Sequence, residues 1–344
     1  MGVDTGEFVR RLLILSVFLL LGAALYRISG LLPILFASVM FALIFSSAAS
    51  ALKARLHVPR PLALALVVLA LLAVLSALAF LFGQRIGAQI QQLTTVMPSG
   101  FDRLRGALSA TSWGPKLIDE LRGANLTAAG GNIVSRAVGA VGSVVSVVSD
   151  IVLIFFGAVY LAAQPDLYIR GLLKLLPPRI RPRGAEVLDA IRRKLLHWLL
   201  GQFISMIAVG TAFGVALTVI GVPSSIVLGL IAALLEFIPM IGPLLAAVPA
   251  LLVALPQGGG TVLSVVVAFL CIQQIESNLL VPYVQKRAVE LPPVVALFST
   301  VIFGLFFGVM GLIFAVPLVV MLMIAVQEIY VHDILGDHGR SAAT

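Results

Sequence analysis

The chain has 344 residues, of which 60% are hydrophobic and 11% charged, with a formal net charge of +8 and a mean hydropathy of +1.13. A soluble domain is about a quarter charged, so a soluble enzyme or binding module is excluded. Apolar runs long enough to cross a hydrocarbon core of roughly 30 Å recur along the chain. The positive excess falls in short connections between those runs, where the positive-inside rule expects it, and so is no nucleic-acid signal. The single cysteine, Cys271, rules out an intrachain disulfide framework and reads as a small packing residue inside an apolar run.

In chain order, residues 1–82 read as three spans, at 12–28, 31–51 and 61–82. Arg10 and Arg11 precede the first run, which has no small-residue cleavage pattern and reads as an uncleaved span rather than a signal peptide. The connection with Lys53, Arg55 and Arg60 has no acid and should be cytoplasmic. Pro59 and Pro61 end one helix and begin the next. Residues 83–137 are expected to form an extramembrane segment of short amphipathic helices, with Gln84, Gln89, Gln91 and Gln92 alternating with apolar residues. Span 4, at 138–163, opens on a small-residue stripe of Gly139, Gly142, Ser143, Ser146 and Ser149, with Asp150 next. Such stripes let helices approach closely in lipid, within or between protomers, or line a polar path.

Residues 164–198 form the most basic connection and should be cytoplasmic. Its second piece, from 183, reads as an amphipathic surface helix with Trp198 at the interface. The core, 199–330, combines ordinary spans at 199–220 and 260–280 with two unusual runs. The first, 224–255, is apolar except for Glu236 and is broken by Pro239, Gly242 and Pro243. Each arm has about 15 residues, roughly 22 Å of helix, too short to span. The run therefore reads as a re-entrant or broken hairpin, tolerated only where protein or a water-filled cavity satisfies the freed backbone groups. The second, 294–330, is too long for one straight span and is interrupted by Gly304, Gly308 and Gly311. Both runs place a glycine at the break and Ala-Val-Pro shortly after it, ending at Pro249 and Pro317. Two such span-plus-hairpin units in opposite directions would form an inverted pair, an architecture of secondary transporters. The tail, 331–344, is polar. The fold class expected is an all-α polytopic membrane protein with about six full spans and two broken hairpins.

Of the fifteen acidic residues only Glu236 and Glu276 lie well within apolar segments. An acid at the bilayer centre costs about 2.5–3.5 kcal/mol on insertion scales and usually faces a cavity or a partner. Glu236 beside a helix break could bind a cation with help from free carbonyls, or instead cap the hairpin. Glu276 shares its segment with Gln273, Gln274 and Asn278. These amides suit a hydroxylated solute or interhelical hydrogen bonds, and Glu276 could instead pair with Lys286 or Arg287. The sequence has no HExxH, GxSxG, P-loop or metal-spaced Cys/His cluster, so neither enzyme activity nor a cofactor is expected.

Three blocks carry a resemblance: Glu236-Phe-Ile-Pro239-Met-Ile-Gly242-Pro243 with Pro249, then Gln274-Ile-Glu276-Ser-Asn278-Leu-Leu-Val-Pro282, then Leu291-Pro292-Pro293 through Gly304, Gly308 and Gly311 to Pro317. In that order and spacing they resemble the AI-2E transporter family. Gln285, Lys286 and Arg287 stand where family members often carry a glycine after the proline corresponding to Pro282. The resemblance implies a transporter or exporter, with autoinducer-2 export and sodium/proton antiport both associated with members. The expected function is ion-coupled export of a small polar solute across the cytoplasmic membrane, with both termini inside. Antiport without an organic solute, and an oligomeric channel or scaffold, are the alternatives. Expected partners are the bilayer, a small polar solute, H+ or Na+, and further copies of the chain in a homo-oligomer.

Overall fold

The computed structural model describes residues 30–109, 141–239, 241–280, 282 and 292–335. The expected span at 12–28, Gly139, Lys286, Arg287, the part of 83–137 beyond residue 109 and most of the tail lie outside them. Among the described residues every regular element is helical. This is a polytopic all-α membrane protein. Five helices are long and apolar enough to cross a bilayer, or six if a bent helix pair forms one more span.

Helix α1, Leu31–Leu56, and helix α2, Arg60–Ser109, meet at a sharp turn where His57 takes a left-handed conformation. The 50 residues of α2 make a rod of about 75 Å, more than twice the hydrocarbon thickness. The polar segment that reads as short separate helices thus continues α2 without a break as far as Ser109. Helix α3, Val141–Ala163, packs on α1 through a close approach, with Gly157 against Ser38. Ala42, Phe45, Ala49, Ala63, Leu64, Ala158 and Ala162 fill the core of this bundle.

After α3 the chain turns by 84° into helix α4, Pro165–Lys174, because Gln164-Pro165 ends one helix and starts the next. A short 3-10 turn, Pro178–Ile180, leads into helix α5, Arg181–Ile220, which runs 40 residues unbroken. The amphipathic piece expected from 183 and the span expected from 199 are thus one continuous helix. Trp198 is buried rather than interfacial, 4% exposed, because the apolar stripe of the amphipathic piece packs on protein.

Helices α6, Ser225–Leu235, and α7, Ile241–Ala254, form the first hairpin. Helix α6 runs antiparallel to α5, with Gly229 against Gly210 and Gly214 and with Gly210 against Ala233. Small residues allow this backbone contact. Both ends of the hairpin are held by the far half of α2. Ser224, left-handed and buried, donates to the Gln89 carbonyl at 2.9 Å, and the Val227 N–H donates to Gln89 Oε1 at 3.0 Å. Gly100 of α2 lies directly on the Leu252 carbonyl of α7. The hairpin therefore enters and leaves from one side. Its core includes Phe213, Leu217, Leu228, Ala232, Ala246, Ala250 and Val265.

Helix α8, Gly259–Ile275, ends in a π turn over Glu276–Leu280. Cys271 on this helix is exposed, not packed in the core, so it lies on the apolar periphery. Helix α9, Pro293–Val326, is broken at Gly308, whose φ of 63° and ψ of −145° suit glycine alone, and it ends in a π segment, Gln327–Ile334. Phe303 and Gly311 would be about 12 Å apart along a straight helix, yet a Cβ on Gly311 would sit 2.0 Å from the Phe303 carbonyl oxygen. The chain thus folds back here into a second hairpin. Its C-terminal end is tied to the start of α5: Arg183 donates to both carboxylate oxygens of Asp333 and to Glu328. The first hairpin opens at the opposite end of α5, so the two enter from opposite sides.

Candidate functional site

The first break is built from the sequence Glu236-Phe-Ile-Pro239. Proline cannot donate a backbone N–H, so the α6 ladder cannot continue through it. Glu236 caps α6, its N–H bonding to the Ala232 and Leu234 carbonyls. The turn closes with the Gly242 N–H on the Ile238 carbonyl at 2.8 Å. Glycine is required at 242 because the Leu235 carbonyl oxygen lies where a Cβ would be, at 1.9 Å. Gly242 and Pro243 are buried and Pro239 is half-buried.

This turn holds the Glu236 carboxyl inside the protein. Glu236 is 2% exposed, and its Oε2 has no hydrogen-bond partner among the described residues. It lines a small cavity with Val209 and Phe213 of α5, Ala232 of α6, Pro243 and Ala246 of α7, and Phe269, Ile272 and Gln273 of α8. The cavity offers about 10 Å³ to the centre of a water-sized sphere, close to the room one water needs. Only Glu236 and Gln273 bring polar side chains to it.

Glu276 completes a polar cluster. Its carboxyl group lies close enough to that of Glu236 for direct interaction, and Gln273 Nε2 donates to Glu276 Oε2 at 2.9 Å. Residues 273 and 276 share a helix face because they are one turn apart. Gln274 and Asn278 fall on another face. Both are exposed and bond to each other, Asn278 Nδ2 donating to the Gln274 carbonyl and Oε1 at 2.9 and 3.3 Å. The structure thus separates the four polar residues of this segment into an inward pair and an outward pair.

One residue of the cluster escaped the sequence reading. Gln202 of α5 is 5% exposed and donates its Nε2 to the Glu236 backbone carbonyl at 2.6 Å. A lone amide inside the apolar run 199–220 is the signal that could have found it. It fixes the break to α5, and Phe237 adds a chain of edge-to-face contacts that runs from Trp198 of the same helix through Phe237 and Phe314 of α9 to Phe36 of α1, with centroids 5.9–6.0 Å apart. Gly304, Gly308, Gly311 and Pro317 all belong to the second hairpin. Pro317 is buried within α9, and none of the four lines the cavity.

Two neighbouring carboxyl groups, an amide donor and a water-sized space together have the chemistry to accept a proton or a small cation. No group of three or more metal-ligating side chains occurs among the described residues.

The AI-2E family transporter profile matches residues 13–331. YueF of Bacillus subtilis is 25% identical over 298 residues, 83% of this chain and 80% of its own length. YrrI of the same organism is 32% identical over 158 residues, 46% of this chain and 45% of its own. The AI-2 transport protein TqsA of Escherichia coli is 30% identical over 150 residues, 42% of this chain and 44% of its own. With the profile covering nearly the whole chain and the helical architecture in place, the protein belongs to the AI-2E transporter family.

Proposed function

We propose that the protein is a secondary transporter, coupled to protons or sodium, that exports a small polar solute through the cytoplasmic membrane with both termini inside. The observation that carries this reading is Glu236: a carboxyl inside the protein, at a helix break, facing a second carboxyl, that of Glu276. Keeping such a group is costly in an apolar setting unless an ion or proton joins it. Glu236 is the coupling residue. Glu276 and Gln273 complete the ion's surroundings, and Gln202 holds the break in register. Two hairpins entering from opposite sides supply the elements that could expose the site to one face at a time. The resemblance to TqsA favours a solute of the autoinducer-2 kind.

The test is flux in proteoliposomes with and without an imposed ion gradient. The expected outcome is gradient-dependent transport that Glu236→Gln abolishes. Transport indifferent to the gradient and intact in Glu236→Gln would sink the coupled mechanism.

A second reading, cation/proton antiport without an organic solute, is favoured by the cavity, which has room for one water-sized species. A pH-sensitive dye inside the vesicles discriminates: a lumenal pH change on sodium addition alone supports antiport, and silence rejects it.

A further inference from the structure

Eight cations lie between residues 170 and 194, and the structure divides them in two. Those from Arg183 onward are matched by the protein's own carboxylates. Arg183 meets Glu186, Glu328 and Asp333, Arg192 and Arg193 meet Asp189, and Lys194 Nζ lies 3.8 Å from Glu328. Arg181 turns its guanidinium onto the Leu176 and Lys174 carbonyls at the end of α4. Arg170, Lys174 and Arg179 form no ion pair among the described residues; Arg170 donates only to the Asp166 backbone carbonyl.

Arg170 and Lys174 sit on α4 and Arg179 in the 3-10 turn after it, and the helix has unusual surroundings. Helix α4 is bent 84° from α3; with α3 crossing the bilayer, as its 23 mostly apolar residues allow, α4 lies close to the membrane plane rather than along its normal. None of its residues is buried. Leu173 and the following Leu176 touch Gly184 of α5, whereas Leu167, Tyr168, Ile169, Leu172 and Leu175 are exposed, Leu175 at 81%. At 100° per residue, Asp166, Arg170 and Lys174 form one stripe at four-residue spacing, and Tyr168, Ile169, Leu172 and Leu175 fall on the other side. The single acid of that stripe, Asp166, lies in the first turn, where the helix dipole favours it. An apolar face lying in the bilayer plane, backed by unmatched cations, has the form of an interfacial helix, and its complement is an anionic lipid surface.

We propose that α4 and the turn after it form a docking site for anionic phospholipid headgroups, with Arg170, Lys174 and Arg179 holding the phosphates and Tyr168, Leu172 and Leu175 seated among the acyl chains. The site is separate from the Glu236 cluster and does not rest on the transport reading.

The test uses the full chain in nanodiscs of equimolar phosphatidylglycerol and phosphatidylcholine, released and weighed by native mass spectrometry. The wild type is expected to retain phosphatidylglycerol preferentially. Surface cations contribute about fivefold each to binding of anionic lipid, so Arg170→Gln/Lys174→Gln/Arg179→Gln is expected to lower that preference by tenfold or more. Arg192→Gln/Arg193→Gln, which removes cations already matched by Asp189, is expected to leave it unchanged. An unchanged preference in the triple variant overturns the proposal. So does an equal loss in both variants, which would assign the effect to overall charge. Melting temperatures in pure phosphatidylcholine check that each variant is folded, and none of the substituted side chains is buried.

Discussion

At Gly242 an added Cβ would lie 1.9 Å from the Leu235 carbonyl oxygen, and at Gly311 it would lie 2.0 Å from that of Phe303. The two hairpins thus close by the same device, a glycine set directly on a carbonyl of the preceding arm. What they enclose differs. The first turn is buried and carries Glu236, with Gln202, Gln273 and Glu276 about it. The second carries no charge, and Leu305, Phe306 and Val309 at its tip are 81%, 76% and 73% exposed. A shared backbone solution therefore does not imply a shared role. The chemistry gathers where the turn is roofed by other helices, because only there is a carboxyl removed from water.

The sharpest way to break this comparison is to remove the one feature that separates the hairpins. Glu236→Gln is expected to reduce gradient-driven flux in proteoliposomes to background while leaving the melting temperature in detergent near that of the wild type. Loss of folding instead would make the residue a structural buttress. Next in size are the shared glycines. Gly242→Ala and Gly311→Ala each force a backbone carbonyl aside, and overpacking of this kind costs about 1–3 kcal/mol or more. Both should lower thermal stability to a similar degree, and a large difference between them would show that the hairpins close in different ways. Gly308→Ala tests the second break itself: its backbone region strains any other residue by about 1–3 kcal/mol, which thermal unfolding should register.

Gln202→Leu sharpens the contrast within the site. It leaves the buried Glu236 carbonyl without its donor, at a cost of about 1–3 kcal/mol. Its expected signature is a shifted pH or cation dependence of flux, with less change in maximal rate, and partial rescue in Gln202→Asn. The smallest effect is expected at the exposed tip. Phe306→Leu should stay within about 0.5 kcal/mol of the wild type, as exposed substitutions do, with flux unchanged. A strong loss of flux there would give the second hairpin a direct part in the chemistry.

Much of this was legible in the residues themselves. Arms too short to span announced the first hairpin, and Gly304, Gly308 and Gly311 announced a break in the second, although only the coordinates place it at Gly308. Glu236 stood out because a carboxylate is expensive among apolar neighbours. Trp198 was misread because an amphipathic stripe has the same pattern whether lipid or protein covers it. The polar stretch after residue 83 looks fragmented in the sequence because Pro98 and the glycines weaken helix propensity locally, while the packing of Gln89 and Gly100 against the first hairpin favours a continuous α2.

Hydropathy and the positions of proline and glycine, which act within a few residues of themselves, determined the class of this protein, its membrane spans, its breaks and the two acids worth following. Proximity between elements distant in sequence was decided by tertiary structure alone. The fold put Gln202 on the Glu236 carbonyl, turned Gln273 and Glu276 inward and Gln274 and Asn278 outward, and laid α4 across the end of α3. The physical reason is that local pattern fixes which groups are costly to bury, whereas the neighbours that offset that cost come from helices far away along the chain.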